Sequence, residues 1–226
     1  MDAQVYTDFD VLSYDPESAV VTIKHDIFRD MRGTFQEIAK RKDKSRFPWL
    51  RDFSWICQIN RSSSAPNVFR GMHAQIGPAC QSKLVECVKG YIIDVILDAR
   101  PDSKTFGKTR LFELDSENGS QLFIPKGFLH GFISCAKNAK GQKITEDNIF
   151  QYLVGGSTYD KDMELSVSMC ATLKRLRRDI GNQFMIDSLT DRVMQSEKDA
   201  ENARSLDEFL LTVEQEYRMY NKLWYR

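Results

Sequence analysis

Two short strings hold two of the chain's three histidines. They are Arg70-Gly71-Met72-His73-Ala74-Gln75, with Lys83 soon after it, and Pro125-Lys126-Gly127-Phe128-Leu129-His130-Gly131-Phe132. An imidazole changes charge near neutral pH, so it can take up and release a proton under physiological conditions. Arginine and lysine beside it hold fixed positive charge. The grouping points to proton chemistry on an anionic ligand. The structural alternative is a hydrogen-bonded core histidine at His73 or His130 and a strand-edge lysine at Lys83.

Positioning such side chains takes a rigid frame, and the pattern around the strings is strand after strand. Short β-rich runs stand at Val20–Ile23, Phe53–Ile59, Val68–His73, Leu84–Val88, Tyr91–Leu97, Thr109–Leu114, Gln121–Ile124 and Phe150–Val154. Turn residues punctuate them: Arg32-Gly33, Lys89-Gly90, Glu117-Asn118-Gly119, and Pro125 with Gly127. Many short strands with few helical periods predict an antiparallel sandwich or barrel. Asp94-Val95-Ile96-Leu97-Asp98 is apolar between its acids and predicts a central strand. Lys137–Asn148 is polar, contains Gly141, and predicts an exposed loop between two strands.

After Tyr159 the character changes. Leu173–Ile180 carries Lys174-Arg175-Leu176-Arg177-Arg178, a solvated basic helix face or, alternatively, a phosphate-binding run. Ser205-Leu206-Asp207-Glu208 is a capping box. Leu206, Leu210, Val213, Tyr217, Tyr220 and Trp224 then recur at four- and three-residue steps, which lays one apolar stripe along a terminal helix. Such a stripe covers the barrel or a partner subunit.

Composition narrows the function classes. The 226 residues allow one large domain with a proper core, and 42% apolar with 28% charged residues is ordinary globular composition. A net formal charge of +0 leaves no electrostatic footprint for nucleic acid. No apolar run approaches the roughly 18 residues of a membrane span. The acidic start, Met1-Asp2-Ala3-Gln4, lacks a signal pattern. Five cysteines (Cys57, Cys80, Cys87, Cys135 and Cys170) are odd in number and lack metal-knuckle spacing, so reduced thiols in the cytoplasm are expected.

Gly119-Ser120-Gln121-Leu122-Phe123-Ile124-Pro125-Lys126-Gly127-Phe128-Leu129-His130 resembles the second sequence motif of the cupin superfamily, whose fold is a double-sheet jelly roll. Many cupins bind a metal through a His-x-His pair, a glutamate and the motif's histidine. Here the pair would be His73-Ala74-Gln75, so its second histidine is missing, and His25 lies far upstream. No metal site and no organic cofactor are expected.

A narrower resemblance follows. Arg70–Gln75, then Gln81-Ser82-Lys83-Leu84-Val85, Gly90, Asp94-Val95 with Asp98-Ala99-Arg100, Ser103–Gly107, Ser116-Glu117-Asn118 and Ile124–Phe132 are similar in kind and order to the dTDP-4-dehydrorhamnose 3,5-epimerase family. Upstream, Asp30–Glu37 and Gln58-Ile59-Asn60 resemble its nucleotide-binding strands. The resemblance runs from about residue 20 to 160. It implies a mainly β, cupin-type jelly roll over residues 1–160, with residues 161–226 a helical segment packed on the barrel or a dimer partner rather than an independent domain.

What the resemblance implies about chemistry is specific. The family epimerises nucleotide-linked 4-keto-6-deoxy sugars without metal or organic cofactor. A ketone at C4 acidifies the hydrogens on C3 and C5. A base removes one, and an acid on the opposite face returns it with inverted stereochemistry. By resemblance His73 is the base, Asp199 in Ser196-Glu197-Lys198-Asp199 is its supporting carboxylate, and Lys83 is the cation for the enolate oxygen. Tyr152 is the acid, with Tyr159 as the alternative, and His130 lines the same pocket or is structural. The nucleotide half falls to Arg32, Phe35 and Glu37 from a partner subunit of a homodimer, with Gln58, Asn60 and Arg70. Ala74 stands where the family commonly has an aromatic, so stacking on the base or sugar is expected to differ.

The expected activity is inversion at C3 and/or C5 of a nucleotide-diphosphate 4-keto-6-deoxyhexose, serving deoxysugar supply for surface polysaccharide or a glycosylated product. The alternatives are a C3-only or C5-only epimerase, a sugar-nucleotide ketoisomerase, and a non-catalytic cupin that binds a sugar nucleotide.

Overall fold

A computed structural model describes residues 10–38, 56–179, 194 and 204–219. Two antiparallel sheets face each other. The first runs in the order β1-β2-β10-β7-β12-β5, from β1 (Asp10–Tyr14), β2 (Val21–Lys24), β10 (Ser120–Ile124), β7 (Ser82–Lys89), β12 (Asn148–Gly155) and β5 (Ile56–Ser64). The second runs β13-β6-β11-β8-β9, from β13 (Glu164–Ser166), β6 (Phe69–Gln75), β11 (Phe128–Ser134), β8 (Tyr91–Asp98) and β9 (Thr109–Asp115). A separate hairpin pairs β3 (Ile27–Asp30) with β4 (Gly33–Gln36). Helix α1 (Met169–Asp179) and helix α2 (Leu206–Met219) follow the barrel. This is the double-sheet jelly roll that the cupin resemblance implies, and it meets the antiparallel sandwich or barrel expected from the short strands and turns.

Side-chain alternation along each strand sorts the residues into layers. Ile92 and Ile96 of β8, Phe128 and Phe132 of β11, Val85 of β7, Leu122 and Ile124 of β10 and Phe150 of β12 meet between the sheets. Burying each such side chain contributes roughly 1.5–3 kcal/mol. The odd positions of β8, namely Tyr91, Ile93, Val95 and Leu97, point the other way, into a cluster closed by Leu176 of α1 and Leu206, Phe209, Val213 and Tyr217 of α2. Every residue of β8 is therefore buried, as expected of a central strand.

The capping box forms as read: the Ser205 main-chain N–H donates to Glu208 Oε2 at 2.9 Å, and the Glu208 N–H donates to Ser205 Oγ at 3.2 Å. The apolar stripe shifts slightly. Phe209 is fully buried while Leu210 is only partly so, because the face turned to β8 follows Leu206, Phe209, Val213 and Tyr217. Tyr220 and Trp224 lie outside the described residues. In the basic run, Arg175 donates to the Gly107 carbonyl at 2.7 Å, which makes it a tie between helix and barrel.

Two glycines in the two histidine strings decide how β6 and β11 meet. A Cβ on Gly71 would lie 2.8 Å from Gly131 Cα, and one on Gly131 would lie 2.7 Å from the Arg70 carbonyl oxygen. Their absence lets the strands close up through an irregularity between His130 and Phe132, which leaves His130 directly opposite His73. Among the described residues no helix is long and apolar enough to cross a membrane.

Candidate active site

The same alternation that builds the core carries polar side chains onto the inner surface at one end of the barrel. Lys83 is two residues from Val85, Tyr152 two from Phe150, and Asp94 lies between Ile92 and Ile96. His130 lies between Phe128 and Phe132, opposite His73. His73, Lys83 and Tyr152 border a cavity of about 570 Å³ with Gln58, Asn60 and Tyr159, among others, while His130 and Asp94 are not among its lining residues. The structure thus brings six of the residues named from the sequence to the border of one cavity.

A polar row supports Lys83. Its Nζ lies 3.4 Å from His130 Nδ1, and His130 Nε2 lies 2.7 Å from Asp94 Oδ2. A carboxylate can only accept and an ammonium can only donate, so neutral His130 carries its proton on Nε2 and accepts from Lys83 through Nδ1. Burial pushes the His130 pKa down, against the pull of Asp94, which keeps the imidazole neutral at pH 7. Burial likewise lowers the Lys83 pKa, and Asp94, Cys80 and Glu164 work in the opposite direction. The Lys83 ammonium also lies 5.9 Å from the centroid of the Tyr152 ring. Tyr152 is pushed up by burial and pulled back by a hydrogen bond from Asn60 and the charge of Arg70. It stays a protonated phenol, and hence a proton donor, at neutral pH.

On the other side of the cavity, His73 Nδ1 faces Glu164 Oε1 at 3.9 Å. Glu164 is held in turn by the Tyr159 hydroxyl, which donates to its Oε2 at 2.7 Å. That bond to a carboxylate, together with burial, pushes the Tyr159 pKa up to about 12. Tyr159 is 46% exposed and stands at the cavity's open side, while Tyr152 lies deeper.

The remaining residues named from the sequence are placed elsewhere. Arg70 donates to Ser64 Oγ at 2.8 Å and does not border the cavity, although its charge reaches Tyr152. Arg32 and Phe35 line a separate hollow on the β3–β4 hairpin, with Phe28. Phe28 and Phe35 are cross-strand partners, 57% and 66% exposed. Glu37 is exposed just past β4. Asp199 lies outside the described residues. Ala74 borders the cavity and is buried in the helix-side cluster with Leu165 and Val167.

Asp94 and Glu164 are the acids that the sequence reading missed. Asp94 could have been found, because an acid spaced two residues from both Ile92 and Ile96 must share their inward face. Glu164 gives no such signal. It arrives on β13, three residues long, whose pairing with Gln75 of β6 is a long-range event. Among the described residues no group of three or more His, Cys, Asp or Glu side chains is arranged to hold a metal ion.

A cupin-type jelly roll with histidine, lysine and tyrosine converging inside it defines the class: a small-molecule site within a β-barrel frame. More narrowly, the chain belongs to the dTDP-4-dehydrorhamnose 3,5-epimerase family, whose model matches residues 18–207. It is 40% identical to the enzyme of that name from Escherichia coli over 125 residues, which cover 54% of this chain and 65% of the relative. The match therefore spans just under two thirds of that curated relative. The Sulfolobus tokodaii dTDP-4-dehydrorhamnose 3,5-epimerase structure superposes with a TM-score of 0.66 at 31% identity, covering 88% of this chain and 96% of that one. A Legionella pneumophila dTDP-6-deoxy-D-glucose-3,5-epimerase, solved in complex with dTDP-4-keto-L-rhamnose, gives 0.67 at 29% identity, covering 86% and 92%.

Proposed function

We propose that this protein inverts C3 and C5 of a dTDP-linked 4-keto-6-deoxyhexose by proton abstraction next to the ketone. The observation that carries the reading is one cavity bordered by an imidazole, a half-buried ammonium and a protonated phenol. The ketone supplies the acidity, so the chain needs only to hold a base, an acid and a cation around the ring. His73 takes the proton from carbon. Lys83, fixed by His130 and Asp94, stabilises the charge that develops on the C4 oxygen. Tyr152 returns a proton on the opposite face.

Asp199 is the partner proposed for His73. The described residues on either side of it support this: Met194 bridges to Val68 just before β6, and Arg204 bridges to Val167 just after β13. Arg32, Phe35 and Glu37 are proposed to serve the nucleotide of a partner subunit's site. An exposed hairpin with paired aromatics, and the edge strand β5 with β12 as its sole neighbour among the described residues, support a homodimer built by strand addition. The family's named relatives support dTDP as the nucleotide. A cytoplasmic setting is part of the reading, supported by five cysteines of which none forms a disulfide.

The test is incubation in heavy water with dTDP-, GDP- and CDP-linked 4-keto-6-deoxysugars, following C3 and C5 by NMR. Deuterium at both carbons of the dTDP sugar, with inversion, is the expected result. Exchange at one carbon identifies a restricted epimerase, and migration of the ketone an isomerase. His73→Ala should lose at least about 10²-fold of the exchange rate. Full exchange in that variant would remove His73 as the base.

A further inference from the structure

A two-stranded hairpin has little stability of its own, so β3–β4 can present side chains to a partner only if its root is held against the barrel. Alternation along the strand decides which residues do the holding. Thr34, Gln36 and Ile38 line a hollow of about 240 Å³ between the hairpin and the outer face of the first sheet. Phe35 and Glu37, at the alternate positions, are exposed.

Two hydrogen bonds hold the hairpin from the side of that hollow. His25, just before β3, is buried, and its main-chain N–H donates to the Gly119 carbonyl at 3.1 Å. Its Nε2 lies 2.8 Å from Gln36 Oε1. An amide oxygen can only accept, so Nε2 carries the proton, and the entering limb of the hairpin holds the leaving one. The second bond comes from the sheet. Gln121 Nε2 donates to the Ile38 carbonyl at 3.0 Å and to Glu86 Oε2 at 3.0 Å. Glu86 is buried and also accepts from Gln151 Nε2 at 3.0 Å, while Gln151 Oε1 accepts from Arg61 at 2.6 Å. Arg61, Gln151, Glu86 and Gln121 are successive cross-strand partners on β5, β12, β7 and β10, so the ladder stiffens the row. A carboxylate can only accept, so Glu86 turns the Gln121 amide nitrogen inward and leaves one of its two N–H groups for Ile38. The Arg29–Glu117 ion pair also joins hairpin to barrel, but both side chains are exposed and it adds little.

We propose that His25 and Gln121, the latter set by Glu86, are positioning residues for nucleotide binding. By holding Gln36 and Ile38 against the barrel they aim Phe35 and Glu37 outward, into the nucleotide half of a partner subunit's cavity. This deepens the reading of the hairpin given above and rests on it. A hairpin free to swing must be ordered at each binding event, whereas a fixed root has met that cost in folding. The effect belongs to nucleotide affinity, because the hairpin has no part in the proton transfers.

The readouts are dTDP affinity by calorimetry and, separately, KM and kcat for the dTDP-linked 4-keto sugar. His25→Ala and Gln121→Ala should each weaken dTDP about three- to tenfold and raise KM alike, with kcat unchanged. Gln36→Ala removes the His25 bond from the hairpin side and decides the matter if a barrel variant fails to fold. His25→Gln, whose amide keeps a donor, should recover part of the loss. In a Phe35→Ala background His25→Ala should add little, since it acts through the hairpin. Refolding His25→Ala with an excess of His73→Ala separates positioning from damage to the variant's own barrel. In each mixed dimer the one intact His73 is on the His25→Ala chain but is served by the other chain's hairpin, so KM should return to the wild-type value. Unmoved dTDP affinity, or a loss confined to kcat, overturns the proposal. So does a KM that stays raised in mixed dimers while Arg32→Ala does complement His73→Ala. Failure of both mixtures overturns the hairpin reading itself, and the proposal with it. If the wild-type protein binds dTDP but exchanges no substrate, the epimerase reading fails separately and calorimetry still decides.

Discussion

Asp94 acts at a distance of two hydrogen bonds, since its charge reaches Lys83 through the neutral ring of His130. Its effect on Lys83 has a definite sign. Burial lowers the Lys83 pKa and Asp94 raises it, so Asp94→Asn lets the ammonium lose its proton at lower pH. The alkaline limb of kcat/KM, where Lys83 goes neutral, should therefore move toward acid, with about a tenfold or greater loss at mildly alkaline pH. A pH–rate profile checks this, and an unmoved limb would mean that another group sets it. At this scale the legible residues were those of rare type: with three histidines in the chain, His73 and His130 stood out at once. Arg70 carried the right chemistry, but its guanidinium is engaged by Ser64, which no spacing rule reveals.

Strands and helices were legible where one face is buried and punctuation is clear. β7, β8, β9 and β12 fall within two residues of the runs read from alternation. β1 and β13 were not seen, because a short edge strand owes its pairing to neighbours far along the chain. β11 read as a motif string before it read as a strand, since proline and glycine precede it and Gly131 interrupts it. That glycine is where a test of the frame belongs. Gly131→Ala would place a methyl 2.7 Å from the Arg70 carbonyl oxygen and 2.9 Å from Met72 Cγ. Pushing β6 and β11 apart should cost about 1–3 kcal/mol in urea denaturation and separate His73 from His130. An unchanged midpoint with full activity would show that the strands can give way there.

The whole molecule raises the question of which chain supplies Arg32. If the hairpin serves a partner's cavity, His73→Ala and Arg32→Ala variants, each impaired alone, should complement when unfolded and refolded together. Every mixed dimer then holds one site with both lesions and one with neither. Random pairing should restore about a quarter of wild-type activity. No recovery on mixing would place Arg32 in the service of its own chain. Nothing in the sequence could decide this by itself, because an exposed Phe28–Phe35 pair looks the same whether it covers a neighbour or meets solvent.

Phe150 links these scales. Its ring lies 4.3 Å from Phe132, 5.8 Å from Tyr152 and 6.1 Å from His130, measured between centroids. The residues that keep the sheets together are thus the floor on which the reacting groups stand. A lesion at that floor, such as Phe150→Ala, is therefore expected to lower stability and activity together, as a denaturation midpoint and an exchange rate would show.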